Sequence, residues 1–191
     1  MAGSIARLIV TSIAVLGFVV WAAWNVIQTQ VTHRDAMVAR VFDMSVEYRG
    51  QLGPAKAAFS DSWNAYLNST VDSYNGGQLD QNSYADLVDR FLATGNNNDG
   101  YIMLSTFYEE VGECVDADLC DFWTARTYFG ADIVAFYHNM YPVLAREHQS
   151  GTSVDGILSF VARMNDADRG TVRPGFQFHF MRSNPEHVSA F

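Results

Sequence analysis

The sequence predicts an all-α protein: a single N-terminal transmembrane helix over 1–28, a helical-bundle domain over 29–165 and an irregular C-terminal tail over 166–191. Three observations carry this. Leu8 to Trp24 contains no charged side chain. Apolar residues after it recur at the three-and-four spacing of helices, with no sustained period-two alternation. Glycine and proline breakers then fall at intervals that suit helices rather than strands.

The charge-free stretch Leu8–Trp24 reaches the shortest length for a spanning helix, about 17 residues. Ile5, Ala6, Val26 and Ile27 lengthen it. A buried core helix would carry more polar positions than Thr11, Ser12 and Gly17. A cleaved signal peptide could be processed near Val20-Trp21-Ala22, but bulky indoles beside the cut are unfavourable. Trp21 and Trp24 suit a membrane-interface belt instead. The expectation is an anchor in the bilayer of the cell inner membrane.

Past the anchor, Val31, Val38, Val41, Phe42 and Val46 extend the helical pattern to about Tyr48, with an end at Gly50. Gly53-Pro54 restarts the chain, because proline is tolerated in a first helical turn. That helix carries Trp63, Tyr66, Leu67 and Val71 and stops at Asn75-Gly76-Gly77. Ser83 to Asp86 resembles a capping box and opens a short helix through Leu87, Val88, Phe91 and Leu92. Asn96 to Gly100 reads as a loop. Tyr101 to Val115 is the next helix, and Asp116 or Asp118 can cap the one after it, with Gly130 a point of interruption. Ser153 or Asp155 caps a last helix, to about Met164.

The tail reads as non-helical, with Pro174, Pro185, Gly170 and Gly175. Its rings, Phe176, Phe178, Phe180 and Phe191, must rest on this protein's helices or on a partner. Burying one ring is worth on the order of 2 kcal/mol.

Twelve Lys and Arg face 21 Asp and Glu, a formal net charge of −9, and lysine occurs once, as Lys56. So acidic a chain is repelled by phosphate backbones, which argues against nucleic-acid binding. The charges flanking the anchor nearly balance, Arg7 before it and Arg34 and Arg40 after it, so sidedness rests on the cysteines. Cys114 and Cys120 are the only two, and Val-Asp-Ala-Asp-Leu between them reads as a turn between helices. They form a candidate disulfide, which places the domain in an oxidising compartment, the periplasm. The competing reading is two half-buried thiols. A zinc site would need two further ligands.

The pattern Phe107-Tyr108-Glu109-Glu110-Val111-Gly112, an acidic turn, Tyr128-Phe129-Gly130 and Tyr141-Pro142-Val143-Leu144-Ala145-Arg146 resembles a bacterial family labelled domain of unknown function 4760. The likeness spans 104–148. It implies a helical domain behind an N-terminal membrane segment and no particular activity. The chain departs from that pattern in lacking a tryptophan near Tyr137 and in carrying the two cysteines.

Catalytic constellations are missing from the sequence. None of the six glutamates has a histidine three residues on, as di-iron bundles require. There is no HExxH. Gly151 to Gly156 misses the nucleophile-elbow spacing. Gly95 to Thr106 lacks the carboxylates of a calcium loop at its first and last positions. Asp116-Ala117-Asp118 and Asp166-Ala167-Asp168 read as turns or caps. Of the histidines, His33 stands at the membrane edge, His138 reads as a core residue, and His148, His179 and His187 read as exposed. Glu109, Glu110 and Glu113 are expected to pair with Arg126 or Arg146.

No catalytic residue, cofactor or metal site is therefore expected. The sequence points to a non-catalytic, single-pass anchored protein. It would serve as an accessory or assembly subunit, with other membrane-protein subunits as its partners. The alternative is an anchored periplasmic ligand-binding or sensing domain, with a pocket among Trp63, Trp123, Phe136, Tyr137 and His138.

Overall fold

The computed structural model describes residues 2–71 and 81–170, with side-chain surroundings for 17–70 and 81–168. Every regular element among the described residues is helical. They are α1 (Ala2–Glu47), a π turn (Tyr48–Leu52), α2 (Gly53–Val71), α3 (Gln81–Leu92), α4 (Asn97–Asp116), α5 (Phe122–Ser150) and α6 (Asp155–Gly170). The breaker Asn75-Gly76-Gly77 and the rings Phe176, Phe178, Phe180 and Phe191 lie outside the described residues.

At 46 residues, α1 is about 70 Å long. Its apolar side chains between Gly17 and Ala36 have no neighbouring helix. Phe18, Val20, Trp21, Trp24, Ile27 and Val31 are all more than half exposed. From Met37 one face turns into the bundle, where Val41 is fully buried and Ser45 is 3% exposed. Among the described residues no helix is long and apolar enough to cross a membrane. The expected span over 1–28 is therefore not carried by them; the side chains of its first half lie outside the described set.

The predicted stop at Gly50 is not a break. The chain stays helical through the π turn, and Gly53, with right-handed φ of −53°, donates its N–H to the Tyr48 carbonyl five residues back. Pro54 explains the widening. Its ring would collide with the carbonyl four residues earlier in a regular α-helix, and it has no N–H to donate. One extra residue in the turn absorbs both defects.

Three further expectations are corrected. Asn96 to Gly100 is mostly the first turn of α4, not a loop. Asn97 accepts from Ser62 at 2.7 Å and donates to the Phe91 carbonyl at 3.0 Å, so its polar side chain is satisfied inside the fold. The second correction concerns the cap of α5. It is Asp121, whose carboxylate accepts from the Thr124 N–H at 2.8 Å, rather than Asp116 or Asp118. Gly130 does not interrupt α5, because it is buried and the Met164 side chain packs over it.

The core is aromatic. Phe59 and Trp63 of α2 meet Phe91 of α3 at ring separations of 5.4 and 4.9 Å. Tyr48, Phe107 and Phe129 join the π turn, α4 and α5 at 5.0 to 5.5 Å. Direction follows from these contacts. Phe42 meets Tyr128 and Tyr48, just past the end of α1, bonds to Asp132, so α5 runs alongside α1 in the same sense. Helix α4 runs the opposite way, with Tyr101 bonding Glu147 and the far end joined to Cys120. The α4–α5 turn is thus at the end of the bundle from which α1 emerges.

Candidate functional site

The most concentrated polar chemistry sits where α1 enters the bundle. The π turn aims the Tyr48 ring inward between α4 and α5. Its hydroxyl donates to Asp132 Oδ2 at 2.8 Å and shares a 2.9 Å hydrogen bond with the Tyr108 hydroxyl. Lys56 Nζ closes on the same Asp132 oxygen at 2.6 Å and lies 5.9 Å above the Tyr48 ring. The order Tyr108, Tyr48, Asp132, Lys56 satisfies every group in turn.

Both phenols are held protonated. Burial is the main cause at Tyr48, reinforced by Tyr108 and by the Asp132 charge, and its pKa is pushed far above the ordinary phenol value. Burial dominates at Tyr108 as well. Tyr48 is 7% exposed and Tyr108 1%. Protonated, enclosed hydroxyls are donors rather than bases or nucleophiles. The two hydroxyls therefore join helices, while the Asp132–Lys56 end of the cluster is partly exposed.

A second junction ties α4 to α6. Glu109 accepts from the backbone N–H groups of Gly156 and Ile157, each at 3.0 Å, and from Ser153 Oγ at 2.8 Å. It supplies the cap expected from Ser153 or Asp155, which serves the exposed N–H groups and the positive end of the helix dipole. The expected pairing of Glu109 with arginine is overturned: Arg126 pairs with Asp168, and Arg146 forks onto Asp89. Beside the cap, Gly112 lies directly against Gly156.

The third junction is covalent. Cys114 and Cys120 are disulfide-bonded, with Cα atoms 5.2 Å apart. The bond closes the α4–α5 turn, and Cys120 Sγ touches Met44 Sδ of α1 at 3.8 Å.

The residues suggested for a sensing pocket are not gathered. Trp63 packs on Phe91, whereas Trp123 is 57% exposed. Trp123 also stands about 20 Å along α5 from Phe136. His138 packs edge-on against Tyr137 and is half-buried, which pushes its pKa down. Among the described residues, no group of three His, Cys, Asp or Glu side chains could hold a metal ion. Trp21 and Trp24 are exposed on α1.

Sequence reasoning missed Tyr48 and Asp132 as a pair, since nothing local links them. One signal was present: Lys56 is the only lysine in the chain. No family model, curated protein or solved structure matches this chain.

Proposed function

We propose that this chain is a non-catalytic, single-pass membrane-anchored protein. Its helical domain faces an oxidising compartment and acts as an accessory or assembly subunit of a larger membrane complex. The observation that carries the reading is α1: apolar on all sides from Phe18 to Trp24, with its large side chains exposed, and continuous with the charge-free stretch from Leu8. An apolar helix exposed all round needs lipid or protein around it. Its polar groups support lipid. Asn25, Thr29 and Thr32 bond back to the carbonyls of Trp21, Asn25 and Gln28, which spares their donors an unsatisfied stay near hydrocarbon.

The three junctions suit a rigid transmitter of position. The Tyr48 cluster fixes the emerging helix, the bridge touches it at Met44, and the Glu109 cap locks α6 to α4. The pattern over 104–148 that resembles an anchored helical family falls on α4 and α5, which receive that helix. Phe176, Phe178, Phe180 and Phe191 are proposed as partner contacts on the same reading.

Alkaline carbonate washing of membranes tests the anchor, and mass spectrometry of the gently detergent-extracted protein tests the partners. The expected result is a chain that stays in the washed membrane and migrates with other subunits. Release by carbonate would overturn the anchor; a solitary monomer would favour the sensing domain.

A further inference from the structure

We propose that the exposed side chains of Trp123 and Leu119 are the seat of this chain's own segment Phe176–Phe180, which folds back from the end of α6 and lays its rings on the indole.

Trp123 departs from the rest of the aromatic bundle. It is 57% exposed, whereas Trp63 is 4% exposed and the adjacent Phe122 is buried with Arg163 over its ring. Leu119, four residues earlier, is 50% exposed. Neither is loosely held. The Cys114–Cys120 bond closes the turn, the Asp121 carboxylate caps α5, and Phe122 packs on Phe160 of α6 at 5.6 Å. A rigid apolar surface loses little conformational freedom when it is covered.

The end of α6 selects the occupant. Asp168 is ion-paired with Arg126, and the same guanidinium lies 5.4 Å from the centre of the Trp123 ring. Helix α6 continues only to Gly170, about 3 Å further along its axis. Phe176 lies six residues beyond Gly170, a reach of up to about 20 Å. The chain thus passes Gly170 within reach of the exposed indole. A tether this short holds the rings at a local concentration that a separate copy or partner does not match. Phe176, Phe178 and Phe180 alternate with Gln177 and His179, so an extended segment turns all three rings to one side. Charge agrees with the pairing. Residues 171–191 carry Arg173 and Arg182 against Glu186, the turn exposes Asp116 and Asp118, and Arg126 is already paired with Asp168.

The seat is independent of the bilayer reading of α1. Where the rings contact a partner subunit, as proposed above, that partner must first lift them from Trp123.

The test places a photoreactive ring at one position of the full chain, Phe178→p-benzoylphenylalanine. The chain is reconstituted in phosphatidylcholine vesicles, or kept in buffer if the carbonate wash releases it from membranes. Isotope-labelled and unlabelled chains are mixed before irradiation, and crosslinked peptides are mapped by mass spectrometry. The expected product joins position 178 to the segment Leu119–Arg126 within one chain, and adding Trp123→Ser abolishes it. Crosslinks to another face of the bundle, crosslinks between labelled and unlabelled chains, or no crosslink to protein would overturn the seat. So would a crosslink that survives Trp123→Ser undiminished. A second measurement needs no unnatural residue. Trp21→Phe with Trp24→Phe leaves Trp63, which is buried, and Trp123 as the emitters. Adding Phe176→Ser, Phe178→Ser and Phe180→Ser is expected to shift the emission to longer wavelength while the helical circular dichroism is kept. Unchanged emission would overturn the proposal, and loss of the helical signal would do the same by assigning the rings to the core.

Discussion

Gly112 on α4 and Gly156 on α6 meet backbone to backbone. A Cβ at Gly156 would come within 2.5 Å of the Glu109 carbonyl oxygen, and one at Gly112 would run into the Gly156 carbonyl group. Neither obstacle is a side chain that can rotate away. Gly112→Ala is therefore expected to separate the helices and to cost about 3 kcal/mol or more. Chemical denaturation of the full chain measures it. A loss under about 1 kcal/mol would mean that α6 can shift to accommodate the methyl group.

The close approach also delivers the Glu109 carboxylate to the start of α6. Glu109→Ala leaves the Gly156 and Ile157 N–H groups without this acceptor and is expected to cost about 2 kcal/mol. Glu109→Gln keeps one acceptor oxygen but removes the charge, and should cost less. Hydrogen exchange at the first turn of α6 should rise in the same order. Equal protection in all three proteins would remove Glu109 from the capping role.

At the π turn, Tyr48→Phe deletes one hydroxyl that serves both Tyr108 and Asp132. The expected loss is about 1–2 kcal/mol, since Tyr108 is left buried without this partner. Adding Tyr108→Phe should cost less than the sum of the two single changes, because the second removes a group already orphaned. Strict additivity in that cycle would show that the two hydroxyls do not couple.

Acid should weaken two contacts for the same reason. The Asp121 carboxyl is held below the ordinary value of 3.8, chiefly by the Thr124 hydroxyl. The bidentate Arg146 guanidinium does the same for Asp89. A lowered folded pKa means that the native state favours the charged form. Its contribution is present above the unfolded value and lost as pH falls through the lower folded one. Asp121→Asn preserves the cap but not the titration. Its stability deficit against the parent is expected to be constant at neutral pH and to shrink below about pH 4. A deficit unchanged down to strong acid would contradict the assignment.

The Cys114–Cys120 bond predicts that both thiols resist alkylation until a reductant is added. Its loop is short, so reduction should cost at most about 2 kcal/mol. The effect should centre on the α4–α5 turn and the Met44 contact. Ready labelling in freshly isolated membranes would remove the bond, and with it the argument for an oxidising compartment.

Much of the architecture was legible because it depends on short-range regularities. Helical spacing of Leu87, Val88 and Phe91, or of Leu104, Phe107, Tyr108 and Val111, states which face is buried whatever it packs against. The pairing of two cysteines separated by five residues also needs little beyond the turn between them. Local capping rules failed where a distant group did the work. Asn97 looked like loop chemistry until Ser62 and Phe91 satisfied it, and Ser153 and Asp155 looked like caps until Glu109 arrived from α4.

The sequence by itself determined the helical class, the charge-free stretch, the approximate course of most helices and the candidacy of the cysteine pair, because each is written in residues a few positions apart. Only the tertiary structure decided the junctions. Tyr48 and Asp132 are 84 residues apart, and Glu109 and Ile157 are 48 apart. No local periodicity records such a meeting. Which donor finds which acceptor, and which glycines touch, follows from how helix faces dock once the apolar residues are buried, and that choice belongs to the whole chain.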